Sequence, residues 1–305
     1  MKACLVLSDL PNAYKVSNFN KQNLELIRTN WDDIKTALEA AVRIANDFGI
    51  DRDTLTSSNS LLPIAYYLFK KKIRFNATDS ATAEAVKAMH RWLVKALLAS
   101  TFGGSSDNTI ALSRKIINES LVASDAFPER ELLIGLRKHG QIDFLDTRSI
   151  DDLLAIKYSD KRSFLALSLL YVDKRWGAAQ YHIDHIFPQA HFVKARLLNN
   201  GVSEWGIEAF IAAKDCLANL QLLPSTDNME KSDSQFDSWI DSRTADFSDQ
   251  HCIPKDSTLY QVASFLEFIK QREYLLRGRY SKILGFTDLP NEKHGQHAEE
   301  ETEKK

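Results

Sequence analysis

YHIDHIFPQAHF, residues 181–192, sets three histidines, an aspartate and a proline within twelve positions. Its first half is a short apolar run with the texture of a strand, and Pro188 marks a break in pairing soon after. A second run of the same kind, LANLQLLPS at 217–225, lies about 30 residues on, beyond an NNG turn and a short helix expected around EWGIEAFIAAK. It runs into STDNMEK at 225–231, where Asp227 as N-cap and Glu230 three residues later stand in capping-box spacing. Two short strands followed by a helix are therefore expected. In a regular strand neighbours face opposite sides, so Asp184 and His185 could not both face one ligand unless the strand ended there.

Outward from this stretch the periodicity changes from two to between three and four. In NLELIRTNWDDIKTALEAAVRIANDFG (23–49), Leu24, Ile27, Trp31, Ile34, Leu38, Val42 and Ala45 recur on one helical face, and Gly49 follows as a C-terminal cap. SLLPIAYYLFKKKIRF (60–75) predicts a second helix with Pro63 in its first turn. TAEAVKAMHRWLVKALLASTFGG (82–104) predicts a third, with a stripe of Val86, Met89, Trp92, Leu93, Ala96 and Leu97 and a Gly103-Gly104 breaker. Further helices fit 108–123, 129–138, 148–157 and 160–173, and a last long one 257–284, with Asp256 as its N-cap and Leu259, Val262, Phe265, Leu266 and Ile269 on one side. The fold class expected is mainly α: a bundle-like helical region over 1–175, a small strand-strand-helix module over 176–245, a C-terminal helix over 246–287 that packs on the body, and a disordered acidic tail over 288–305.

Composition narrows the function classes. A chain of 305 residues, 44% hydrophobic and 26% charged, is an ordinary folded protein, and it lacks the ~18 uninterrupted apolar residues of a spanning helix. The apolar run at the start, MKACLVLSDLPN, is too short for a secretory signal, so a cytoplasmic location is expected. Cys4, Cys216 and Cys252 are scattered and form no C-x-x-C pair, which argues against a disulfide framework or a thiolate zinc site. The net charge is −2, and the last fifteen residues hold five acids and three bases, which leaves 36 of each sign in the body. Such balance speaks against avid non-specific binding of nucleic acid, while leaving room for a local basic groove. The sharpest basic cluster, Lys70, Lys71, Lys72 and Arg74, reads first as a solvated helix end.

Asp184-His185, Pro188, Asn219 within NLQLL, Asn228 and Lys231 form an ordered set. It resembles the HNH endonucleases, also called His-Me finger or ββα-metal nucleases, and in particular the nuclease domain of modification-dependent restriction and phage-defence proteins of the GmrSD type. The core of the resemblance covers 181–233, with the preceding helices and FDSWI (236–240) as a looser setting. It implies a ββα-metal module in which Asp184 and Asn228 hold a divalent ion, His185 is the general base, and Asn219 ties down the loop by backbone hydrogen bonds. It also implies restriction of foreign DNA, modified phage DNA included. The nucleotide-binding, ParB-like domain that usually accompanies such nucleases, with its Asp-Gly-Gln-Gln-Arg motif, has no counterpart in this sequence; a separate sensor domain or subunit is the expected partner.

The residue types suit that chemistry. Phosphodiester hydrolysis needs a base for water and a positive centre for the charge that develops on phosphate. An imidazole titrates near neutral pH with little tuning. A carboxylate and an amide oxygen favour Mg2+ or Mn2+ over zinc. Lys231, one helical turn after Asn228, is a candidate phosphate contact, aided by the helix N-terminus. His182 is expected to support the shell or lie at the surface, and His191 to face solvent. Lys194 and Arg196 could touch a DNA backbone, with Glu204 and Glu208 making the local field mixed, and Arg175 is undecided. Trp176 and Trp205 are expected to pack rather than stack on bases. Two rivals stand beside the DNA nuclease: a non-catalytic helical module that binds DNA or protein with a structural hairpin, and a ribonuclease toxin built on the same hairpin.

Overall fold

The apolar stripes of the first half fold as helices α1 (Lys2–Leu7), α2 (Lys21–Thr29), α3 (Trp31–Asp47), α4 (Leu62–Lys71), α5 (Ser80–Leu98), α6 (Asp107–Ala123), α7 (Glu129–Lys138), α8 (Thr147–Leu154) and α9 (Ser163–Ser168). The structure, a computed structural model, describes residues 1–52, 54–72, 80–104, 106–140, 147–171 and 180–284. After α9 come β1 (Tyr181–His185), α10 (Lys194–Asn199), α11 (Ile207–Ala213), β2 (Leu220–Pro224), α12 (Ser225–Lys231), α13 (Phe236–Ile240), α14 (Ala245–Gln250) and α15 (Phe265–Leu284). The protein is thus mainly α, and β1 and β2 form its two-stranded sheet. The expected tail, with Arg74, Arg175 and Trp176, lies outside the described residues.

Helix α4 is buried from Leu62 through Leu68 and packs on α1, α3 and α6, as an all-round apolar sequence requires. The lysines at its end are tied down: Lys70 pairs with Asp9 at 2.6 Å and Lys71 with Asp125. On α5 the predicted stripe Met89, Trp92, Leu93, Ala96 and Leu97 is buried, with Trp92 set edge-on against Phe102 and Phe127.

Two helices differ from their sequence reading. The single helix expected over 23–49 is broken at Asn30, which ends α2 and precedes α3. The break shifts the buried face to Ile34, Ala37, Ala41, Ile44 and Ala45 and leaves Leu24, Trp31 and Val42 largely exposed. At the C-terminal end, Asp256 caps a 3-10 turn over Ser257–Tyr260, accepting from the Thr258 amide at 3.0 Å. Gln261 is extended, so α15 begins only at Phe265.

The strands pair antiparallel in the register Asp184↔Gln221 and His185↔Leu220, and α12 leaves β2 without a loop. Helix α9 backs β2, and α15 packs on α8 and on the 217–219 turn. The fully buried Arg272 of α15 donates to the carbonyls of Ala218 at 2.7 Å and His251 at 3.0 Å, which anchors the approach to β2. One continuous apolar core joins the helices before residue 171 to the strands and to α15. Among the described residues no helix is long and apolar enough to cross a membrane.

Gly49 closes α3 in the left-handed region at φ +70°, with the Ile50 amide donating to the Ala45 carbonyl at 3.0 Å. A Cβ there would come within 2.8 Å of the Phe164 ring. Gly49→Ala is expected to lower stability by at least ~1–2 kcal/mol, the left-handed penalty alone. Denaturant unfolding checks this, and an unchanged midpoint contradicts the described cap.

Candidate functional site

Strand β1 stops at His185, so the two residues singled out by sequence are its last two rungs. Their side chains have different partners. Asp184 Oδ2 accepts from Gln221 Nε2 at 2.8 Å and Oδ1 from Lys231 Nζ at 3.1 Å. His185 Nε2 meets Asp215 Oδ1 at 2.9 Å, and the imidazole packs against the Tyr158 ring with centroids 4.5 Å apart. Adjacent strand positions point apart, and here each has collected its own cluster.

Lys231 is fully buried. Its ammonium donates to the His185 carbonyl at 2.6 Å as well as to Asp184, and lies 5.7 Å from the Trp239 ring. The sequence reading of Lys231 as a phosphate contact is corrected here: its charge is spent inside the protein. The capping expectation is corrected too. Helix α12 begins at Ser225, whose amide bonds the Gln180 carbonyl at 2.9 Å, so Asp227 lies in the first turn, and Glu230 pairs with Arg243 at 2.6 Å instead of reaching back. Pro224, already at φ −55°, carries the chain from strand to helix without an Asx cap.

Asn219 has no exposure. Its Oδ1 accepts from the Phe187 amide at 2.9 Å, and its Nδ2 donates to the carbonyls of Lys214 at 2.7 Å and Phe187 at 3.2 Å. One side chain thereby closes the turn after His185 against the turn before β2. Asn228 is half-buried, and its amide has no hydrogen bond among the described residues.

Of the remaining candidates, His182 Nε2 meets Ser225 Oγ at 3.0 Å. His191, expected in solvent, is buried and bonds the Asp233 carbonyl at 2.8 Å, because the 3-10 turn after Pro188 folds back on the chain beyond α12. Lys194 pairs with Glu204 and Arg196 with Asp233, both in the open. Trp205, expected to pack, is 97% exposed. Sequence reasoning missed Gln221, Asp215 and Tyr158. Period two could have flagged Gln221, a polar residue amid apolar ones, but no local pattern links Asp215 or Tyr158 to His185.

Burial raises the Asp184 carboxyl above its ordinary value, against the pull of Lys231 and Gln221, and lowers the Lys231 ammonium, against the pull of Asp184. Burial likewise lowers His185, with Asp215 opposing, so the imidazole is neutral at neutral pH.

The oxygens near Asp184 suit a hard cation in kind. A carboxylate offers about four lone-pair directions, more than Lys231 and Gln221 occupy. Gln221 Oε1 is buried without a hydrogen-bond partner among the described residues. Among the described residues no three or more His, Cys, Asp and Glu side chains are grouped to hold a metal. Any ion here would rest on one carboxylate and neutral amide oxygens, beside the Lys231 charge. Compared with models of known protein families and with curated proteins, the chain matches none.

Lys231→Met should leave a buried carboxylate without its cation and cost about 3–5 kcal/mol. The double variant Asp184→Asn with Lys231→Met should recover part of that loss. Denaturant unfolding of both tests the pair, and a single variant as stable as the parent contradicts it.

Proposed function

We propose that this chain is a divalent-metal-dependent DNA endonuclease of the HNH, or ββα-metal, kind, and the nuclease part of a restriction or anti-phage system. The observation that carries this reading is the fully buried Asn219, which ties the chain just after the candidate base to the turn before β2. A solvated polar turn would have no need of a side chain bonded three ways to peptide groups. The antiparallel β1–β2 pair leading straight into α12, with Asp184-His185 at the strand end, supports it further.

In this reading His185, neutral through burial, takes the proton of the attacking water. Asn219 keeps the chain after His185 from moving away from the reacting phosphate. Gln221 and Lys231 orient the Asp184 carboxylate, while Asp184 and Asn228 would hold Mg2+ or Mn2+. When bound, that ion supplies positive charge to the phosphate and the leaving oxygen. Lys157 and Lys214 each precede a residue that touches the base, Tyr158 and Asp215; Lys157 is exposed, Lys214 is half-buried, and neither has an ion-pair partner among the described residues. They offer a phosphodiester strand local positive charge on a chain of balanced total. The partner is DNA, with any sensor of modification supplied by another domain or subunit.

Supercoiled plasmid incubated with Mg2+ or Mn2+ should be nicked or linearised, and His185→Ala should slow this by about 10²–10⁴-fold. Undiminished cutting by the variant, or none by the parent, overturns the reading in favour of a non-catalytic module. Labelled RNA run beside DNA separates a ribonuclease. Because His185 is shifted down, the midpoint of the loss of activity on acidification should lie below the ordinary imidazole value of 6.5. A midpoint above that value contradicts the buried, neutral base.

A further inference from the structure

His185 and Asp215 are 30 residues apart in the chain, yet the imidazole Nε2 and the carboxylate Oδ1 share a 2.9 Å hydrogen bond. The carboxylate is held from several sides. Gln189 Nε2 donates to the same oxygen at 2.7 Å. The Asp215 carbonyl accepts from the Tyr158 amide at 2.9 Å, and the next residues continue the pairing, with Leu217 donating to Ile156 at 3.1 Å. The same Tyr158 places its ring against the imidazole. A carboxylate on this rung has little freedom, and the ring it holds has little more.

The bond also decides chemistry. A neutral imidazole carries one N–H, and an ionised carboxylate only accepts, so a hydrogen bond between them requires the proton on Nε2. Although burial opposes it, the bonds from Gln189 and His185 keep the Asp215 carboxyl below its ordinary value, ionised at neutral pH. The lone pair then lies on Nδ1. That atom has no hydrogen-bond partner among the described residues, and it is not sealed from solvent.

We infer that Asp215 is the positioning residue for His185: it fixes the Nε2–H tautomer and turns Nδ1 toward the attacking water. The inference rests on the nuclease reading for its reaction, and for the tautomer on the hydrogen bond between His185 and the Asp215 carboxylate. In the step it serves, the water O–H bond breaks and its proton joins Nδ1 as the water oxygen bonds to phosphorus. The P–O bond to the leaving group breaks with its electron pair, and the departing oxygen takes a proton from solvent. Nε2 keeps its own proton throughout, and Asp215 remains ionised opposite the imidazolium that forms. Asp215 touches neither water nor phosphate.

Long-range 1H–15N correlation of the imidazoles in the uniformly labelled, metal-free chain reads the tautomer directly, with His185→Ala supplying the assignment. The wild type should show His185 as Nε2–H, and Asp215→Ala should shift it to a mixture or to Nδ1–H. On plasmid with Mg2+ or Mn2+, Asp215→Ala should lower kcat about 10–100-fold and leave KM within about twofold, as loss of an outer partner of a reacting group does. Asp215→Asn can still accept from Nε2–H through its amide oxygen, so it should keep the tautomer and recover part of the rate; thermal melting verifies that both variants fold. A wild-type Nδ1–H signal, or an Asp215→Ala protein with unchanged tautomer and kcat, overturns the assignment. If plasmid cutting needs His185 but ignores Asp215, the nuclease reading stands and this inference falls. If the tautomer follows Asp215 while the wild type cuts nothing, the positioning role stands and the nuclease reading falls.

Discussion

A lysine ammonium with no access to water must find acceptors inside the protein, and around Lys231 that requirement shapes the site. Leaving such a charge unpaired would cost several kcal/mol, so Asp184, the His185 carbonyl and the Trp239 ring gather on it. It is the last residue of α12, and the residues it joins come from the end of β1 and from α13. One cation thereby fixes where the helix lies on the hairpin, and with it the position of Asn228 one turn earlier. It also takes up part of the carboxylate that the proposed divalent ion would use, so any metal affinity would be coupled to the strength of the internal pair.

Backbone groups around the hairpin are satisfied on the same principle. Asn219 bonds the peptides at 187 and 214, and Arg272 bonds the carbonyls at 218 and 251. Buried peptide groups cannot stay unpaired, and long side chains serve where no strand or helix neighbour is available. Through Arg272 the last helix reaches the turn that carries Asn219, and through Asn219 it reaches the chain after His185. The helical body is thus connected to the candidate site by hydrogen bonds as well as by apolar contact. The 156–158 segment adds a further connection, setting Tyr158 against His185.

Two neighbouring residues of one strand therefore sit in contrasting surroundings. Asp184 is enclosed with a cation and an amide, while His185 has a carboxylate on one nitrogen and a second nitrogen that has no hydrogen bond among the described residues and is not sealed from solvent. Burial pushes both toward their neutral forms, and their partners push back. Alternation along a strand is what allows these two equally buried groups to be adjacent in the chain and yet keep separate partners.

The order strand, strand, helix was legible in the sequence, as were the end of β1 near Pro188, the stripe on α5 and the cap at Gly49, because hydrophobic period and turn chemistry are local properties. Asp184, His185, Asn219 and Asn228 could be singled out through the resemblance of the ordered set to a nuclease motif. What the sequence did not disclose were contacts across tens of residues: Asp215 on His185, Gln221 and Lys231 on Asp184, Arg272 on the 217–218 turn. Nor did it disclose that Lys231 and His191 are buried while Trp205 stands in solvent, since a residue's type does not say which side of a packed helix or turn it will occupy. Local pattern chose the elements and their order. Only the packed chain, by forcing each enclosed polar group to find a partner, decided which of these residues meet.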